Sequence, residues 1–345
     1  MKTFKTAVIL FLACQSLRAF AQNGNQEPYL TKSFANANIK HVNVKTSGGS
    51  IAVTGVNAAD AHVEVYVNLN NGNNKDISKE ELRQRLEDYE LNVSLNGTEL
   101  EVMAKPKSNF NWRKSLSISF KVFVPKAVSS NLNTSGGSIK LTNLNGDQSF
   151  TTSGGSLALD QITGNIKGHT SGGAISVANT KNVIDLSTSG GSIKAENCEG
   201  LIKLSTSGGA MHFTNLNGTI NAETSGGSIA GENIKGEFIT STSGGSINLK
   251  DMACSLETST SGGSIHVEMK QLGKYVKIHG SVNHVDLQLP SGRGLDLDLR
   301  GSRINANISG SFNGEKDEDH MVGRLNGGGI PITVRTSNGG INVTM

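Results

Sequence analysis

Beyond its first two dozen residues this sequence has no long hydrophobic run, little cysteine or proline, few aromatic rings and no surplus of either charge. Five of its 345 residues are proline, three are cysteine and one is tryptophan. No later segment approaches ~18 consecutive apolar residues, so no transmembrane helix is expected there. The chain holds 32 basic and 29 acidic residues, but Lys2, Lys5 and Arg18 all fall in the first 21, which leaves 29 of each. A chain with no net positive charge has little to offer a phosphate backbone, which argues against a nucleic-acid partner.

The opening residues read as an export signal. Lys2 and Lys5 precede the apolar run Ala7–Ala13, and Ala19-Phe20-Ala21 supplies small residues around a cleavage point before Gln22. The alternative is a lipoprotein attached through Cys14, because Phe11-Leu12-Ala13-Cys14 loosely resembles a lipobox. Either way the protein is expected outside the cytoplasm, on the cell surface, extracellular or in the periplasm.

Glycine is abundant, with 42 residues. A chain this rich in Gly, Ser and Asn invites a reading as disordered, but its apolar alternation is too regular for that. Thr-Ser-Gly-Gly starts at Thr134 and returns at Thr152, Thr170, Thr188, Thr206, Thr224, Thr242 and Thr260, always 18 residues on. Counting from each Thr, position 6 reads Ile139, Leu157, Ile175, Ile193, Met211, Ile229, Ile247, Ile265, and position 8 is mostly apolar too. Position 7 between them is mostly polar, which is strand alternation. Position 15 adds Ile166, Ile184, Ile202, Ile220, Phe238 and Leu256, with Gln148 and Lys274 as exceptions in the end copies. The glycines at positions 3 and 4, and a further one at position 13, mark corners that a Cβ would obstruct.

A repeat of 18 residues cannot bury its own apolar face, so copies must stack, about 4.8 Å apart. The expected fold is all-β: a single-domain parallel β-solenoid with 18-residue coils. Position 10, nearly all amides (Asn143, Gln161, Asn179, Asn197, Asn215, Asn233, then Asp251), then becomes a hydrogen-bonding ladder. Asp160, Glu196, Glu232 and Glu268 occupy position 9 in alternate copies, which avoids stacking like charges. Cys198 and Cys254 lie three copies apart, about 14 Å along the stack, too far for a disulfide. Two free thiols are expected, with Cys198 inside.

The organisation follows: residues 1–21 a signal peptide, 22–131 N-terminal strands, helix and hairpin that cap the stack, 132–277 the regular coils, 278–345 irregular coils and a second cap. In the first cap, Ser78-Lys79-Glu80-Glu81 reads as a capping box with Ile77 and Leu82 as a hydrophobic staple. Leu91–Leu95 and Thr98–Ala104 read as a hairpin turning at Asn96-Gly97 in a type I′ turn. Such a cap would cover a strand edge that otherwise aggregates.

The early "TSGGSIAVTG", the strand "SISFKVFVP" (Ser117–Pro125), the TSGGSI copies, "LPSGRGLDLDL" and a closing "TSNGGINV" resemble a bacterial family of adhesin-like proteins of unknown function, related to autotransporter-adhesin-like head domains. The resemblance spans nearly all of the chain after the leader. It implies the solenoid and a surface-binding role, and it brings no catalytic residues.

Some parallel β-helices act on polysaccharides, so carboxylates and histidines need weighing. The position-9 carboxylates would lie about 9.6 Å apart along the axis, at the outer limit of an inverting glycosidase pair. They are equivalent copies, whereas acid and base need different environments. His212 and His266 stand three copies apart, and His279 and His284 lack an obvious third ligand. Glu315-Lys316-Asp317-Glu318-Asp319-His320 lacks the spacing of a calcium loop. No catalytic, metal or cofactor-binding residue is therefore assigned, no cofactor is expected, and the protein is read as a non-enzyme.

The candidate contact is "KPKSNFNWRK": Lys105, Lys107, Phe110, Trp112, Arg113 and Lys114 gather bases and rings without an acid. Trp and Arg dominate binding energy at interfaces, and ring faces stack on sugars. Packing of Trp112 on the cap is the bland alternative. The expected activity is adhesin-like binding to a cell-surface glycan or envelope protein. The alternatives are an envelope scaffold or sensor module that binds a protein partner and, third, a polysaccharide-active enzyme.

Overall fold

The structure is a computed structural model that describes residues 27–70, 78–108, 115–282 and 284–345. Its 28 strands join one long sheet in which parallel pairing predominates, and the helix Lys79–Leu86 is the single α-helix among the described residues.

The sheet register lays the repeats directly over one another. Ile139 pairs with Leu157, Leu157 with Ile175, and the row continues through Ile193, Met211, Ile229 and Ile247 to Ile265. Each member is 1% exposed or less. Ile51 extends the row at one end, and Val285, Ile341 and Ile304 extend it at the other. A second buried row is built from Ile166, Ile184, Ile202, Ile220, Phe238 and Leu256 at position 15. The two rows belong to one continuous hydrophobic core.

Both exceptions in the position-15 pattern have a local cause. Gln148 is buried in the row, where its amide donates to the carbonyls of Val128 (2.8 Å) and Gly146 (3.1 Å) and accepts from Ser130 Oγ. Lys274 is not in the row at all. The register shifts between Cys254 and Leu256, where Cys254 pairs with Leu272 but Leu256 pairs with Val276, so Val276 takes the buried place. The 18-residue count thus fails past Thr260 because two extra residues bulge out of the strand Ile265–Gly280.

The Thr-Ser-Gly-Gly corner explains its own recurrence. Each Thr hydroxyl is buried and donates to the carbonyl of the second glycine in the preceding layer: Thr170 to Gly155 (2.7 Å), Thr188 to Gly173 (2.8 Å), Thr206 to Gly191 (2.8 Å). The same oxygen accepts from the second glycine of its own corner, as Thr206 Oγ1 does from Gly209 N–H (3.3 Å). That glycine has no alternative, because a Cβ on Gly209 would overlap the Gly191 carbonyl oxygen. The first glycine is different. A Cβ on Gly208 would meet nothing nearer than 3.7 Å, so packing does not explain why position 3 stays glycine.

The amide row at position 10 has two reasons to exist. Asn197 Nδ2 donates to Asn179 Oδ1 (3.3 Å), Asn215 to Asn197 (2.9 Å) and Asn233 to Asn215 (2.7 Å), as the ladder requires. All seven residues from Asn143 to Asp251 also sit at φ between +52° and +59°. Asn tolerates that left-handed conformation better than other side chains, so the sharper corner lies here. Position-13 glycines such as Gly164 and Gly200 lie within strands instead, at φ +142° and +124°.

Both ends depart from chain order. The strands His41–Thr46 and Ile51–Val56 pair directly with Ser129–Thr134 and Ile139–Asn145, and the described strands that intervene in sequence pair on the side away from the coils. There Glu99–Pro106 pairs with His41–Thr46 and Tyr89–Asn96 closes that edge antiparallel, while His62–Leu69 and Leu30–Ser33 close the neighbouring edge. At the far end Ile330–Thr336 lies between Ile265–Gly280 and Leu295–Arg300, and two antiparallel strands, His320–Leu325 and Phe312–Lys316, finish the sheet.

Two local expectations are corrected. Asn96 pairs with Glu99, so the turn residues are Gly97-Thr98, and only Gly97 has positive φ, +61°. That is the pattern of a type II′ turn rather than I′. Ser78 Oγ caps the helix by accepting from Glu81 N–H (3.1 Å), but the Glu81 carboxylate pairs with Arg85 one turn on, so the box is half formed. Ile77 lies outside the described residues.

Cys198 and Cys254 are free and buried. Burial pushes the Cys198 thiol up to about 11 and the Cys254 thiol up to about 12. Both therefore stay protonated in the folded protein near neutral pH, and iodoacetamide at pH 8 should label neither until denaturant unfolds the chain. Gly209→Ala should lower stability by about 3 kcal/mol through overpacking, while Gly208→Ala should stay within about 0.5 kcal/mol, both read by urea denaturation. Thr206→Val, nearly isosteric, should cost about 1–2 kcal/mol because it strips hydrogen-bond partners from two partly buried backbone groups.

Candidate functional site

The sequence-derived contact is only partly placed. Phe110, Trp112, Arg113 and Lys114 lie outside the described residues. Lys105 is exposed on the strand Glu99–Pro106, opposite Glu90. Lys107 is also exposed and holds the end of the helix, donating from Nζ to the Glu87 carbonyl (2.7 Å), while its backbone N–H donates to the Asp88 carbonyl (2.9 Å). The nearby Lys121 is engaged elsewhere, with Nζ 3.1 Å from Tyr66 Oη and 4.4 Å from the ring centre. Tyr66 Oη in turn donates to Glu64 (2.7 Å), and burial together with that carboxylate raises the phenol above its ordinary range.

Three of the four position-9 carboxylates have partners of their own. Asp160 accepts from Asn179 Nδ2 (2.8 Å), Glu196 pairs with Lys194 (2.8 Å) and Glu268 with His266 (3.0 Å). The two histidines His279 and His284 lie on different strands, the first opposite Arg335 and the second opposite Gly340. His284 Nε2 lies 2.8 Å from Asp286 Oδ1, to which Asn342 Nδ2 also donates (3.2 Å). His320 is flanked by Asp319 (3.0 Å) and Asp317 (3.2 Å), which raise its pKa. Among the described residues no group of three or more His, Cys, Asp or Glu is placed to hold a metal ion.

A feature that position-by-position reading missed lies on the outer face of the sheet near its N-terminal strands. Position 15 points inward there, so positions 14 and 16 point outward on either side of it. Between them runs an open trough of about 610 Å³ floored by Val42, Ser130, Gln148 and Ile166. Row 14 contributes His41, Asp147 and Asn165, and row 16 contributes Asn43, Asn131, Ser149, Lys167 and Asp185. Its signal in the sequence is the run of short polar side chains at those two positions in the first copies, which gives way to Leu201 and Ile239 farther along.

No family model matches this chain, and no curated protein matches it. Among solved structures the chain is similar to a "putative cell adhesion protein" from Clostridium sporogenes, over 92% of this chain and 99% of that one, at 11% identity and a TM-score of 0.19.

Proposed function

We propose that the protein is a β-solenoid of 18-residue coils, exported to the cell surface or periplasm, that acts without catalysis by binding glycan or protein at the cell envelope. The observation that carries this reading is the unbroken buried row from Ile51 to Ile304. Its strands, stacked in register at about 4.8 Å, give a stiff body that runs roughly 50 Å along this row. Stiffness suits a molecule that must present contacts at a distance, and its repeated polar faces suit many weak contacts at once. The adhesin-like family resemblance in the TSGGSI, "LPSGRGLDLDL" and "TSNGGINV" segments points the same way.

In this reading the segment Lys105–Lys114 supplies one sharper contact at the N-terminal end, with Trp112 and Arg113 as its anchors. A Trp112→Ala protein should bind whole cells at least about tenfold more weakly than the parent, measured by flow cytometry with labelled protein. Equal binding by the two would remove this segment from the site. Steady turnover of a polysaccharide, abolished by one carboxylate substitution, would replace the binding role with an enzymatic one.

A further inference from the structure

We infer that the trough between rows 14 and 16 is a binding site for an uncharged, hydroxyl-rich oligosaccharide lying along the stack. This rests on the reading of the chain as a surface-binding rod and gives that rod a ligand class and a place to hold it.

Four observations on the trough select the ligand. First, its floor strands each pair with neighbours on both sides, so no free backbone edge remains for an extended peptide to join. Second, its walls are mostly hydrogen-bonding side chains such as Asn131, Asn165 and Ser149, with Val183 as the one exposed large apolar side chain and no aromatic anchor of the kind a protein partner would seek. Third, Glu99, Asp147 and Asp185 face one ammonium, Lys167, a balance that repels polyanions and leaves carboxylates to accept from hydroxyls. Fourth, Asn43 Oδ1 is buried without a hydrogen-bond partner, and an unmet buried acceptor destabilises the free protein.

A sugar hydroxyl supplies the donor that Asn43 lacks, and the soft amide torsion lets the side chain turn to meet it. The wall groups also recur at each strand, about 4.8 Å apart. A ligand that repeats its own polar groups along a chain matches that recurrence, where a compact ligand would use one layer. At its far end row 14 brings Val183, 37% exposed, into the trough wall and continues beyond it with Leu201, 55% exposed, apolar surface on which the C–H faces of a pyranose can rest. The volume lies within the usual range for ligand sites, roughly 300–1,000 Å³.

The test is calorimetric titration of the purified protein with cello-, xylo-, manno-, malto- and chitohexaose, and with oligogalacturonate as the anionic comparison. At least one neutral hexasaccharide should bind, and the double variant Asn131→Ala/Asn165→Ala should weaken it by about tenfold or more. Asn43→Leu should weaken it too while leaving the melting temperature unchanged or higher, since it removes an unsatisfied acceptor; a purely structural asparagine would lose stability instead. The inference is overturned if no neutral hexasaccharide binds, if only oligogalacturonate binds, or if binding survives the double variant. Cell binding that persists without any hexasaccharide affinity would sink the trough and leave the adhesive role standing. Loss of both would sink the two together.

Discussion

The architecture depends on one small contact repeated from layer to layer: a buried threonine hydroxyl that donates to a glycine carbonyl in the layer before and accepts from a glycine N–H in its own. Parallel strands need their backbones held at one spacing, and apolar packing alone does not set it, because aliphatic side chains slide. The threonine fixes register at the corner, where strand pairing is interrupted and slippage is easiest. The second glycine follows from it, since the carbonyl that receives the hydroxyl occupies the space a Cβ would need. Thr and Gly at a fixed separation are therefore one device, and the aliphatic rows profit from the alignment it imposes.

With the corner fixed, the outer faces are free to vary. Positions 7, 9, 14 and 16 range from Lys, Glu and Asp through Asn, Ser and Thr to Leu201 and Ile239 while the buried rows keep their register, and neighbouring charges pair within a strand or across to the next, as Lys194 does with Glu196 and Lys181 with Glu199. Such exposed pairs contribute little to stability. What they set is the texture of the surface, and the trough beside the N-terminal strands is one stretch where short polar side chains gather.

Much of the interior was legible in the sequence because stacking turns a period into a set of columns. The buried rows at positions 6 and 15, the amide ladder and the unpaired cysteines follow from counting. Where counting failed, a different force had taken over. The bulge that moves Val276 into the place counted for Lys274 reflects a need to keep an ammonium out of the core. The turn at Gly97-Thr98 answers to strand pairing that the Asn-Gly pair alone does not set. The purpose of threonine escaped a reading that looked for apolar periodicity, since its role is a hydrogen bond to a backbone atom 15 residues earlier. The candidate site was less legible. Lys107 reads as part of a basic cluster and turns out to hold a helix end, and the trough exists only when side chains from six separate strands are set side by side.

The wedged placement of residues 330–344 gives the molecule a sense of time. A chain delivered from its N-terminus exposes residues 295–307 before the segment that will separate them from the rest of the stack. Until that segment arrives, the open end offers the same surface to any other strand with a matching pattern, including one from a neighbouring molecule. Completion of the sheet is thus a race between residues 330–344 and a stranger, and those residues have the advantage of being tethered nearby.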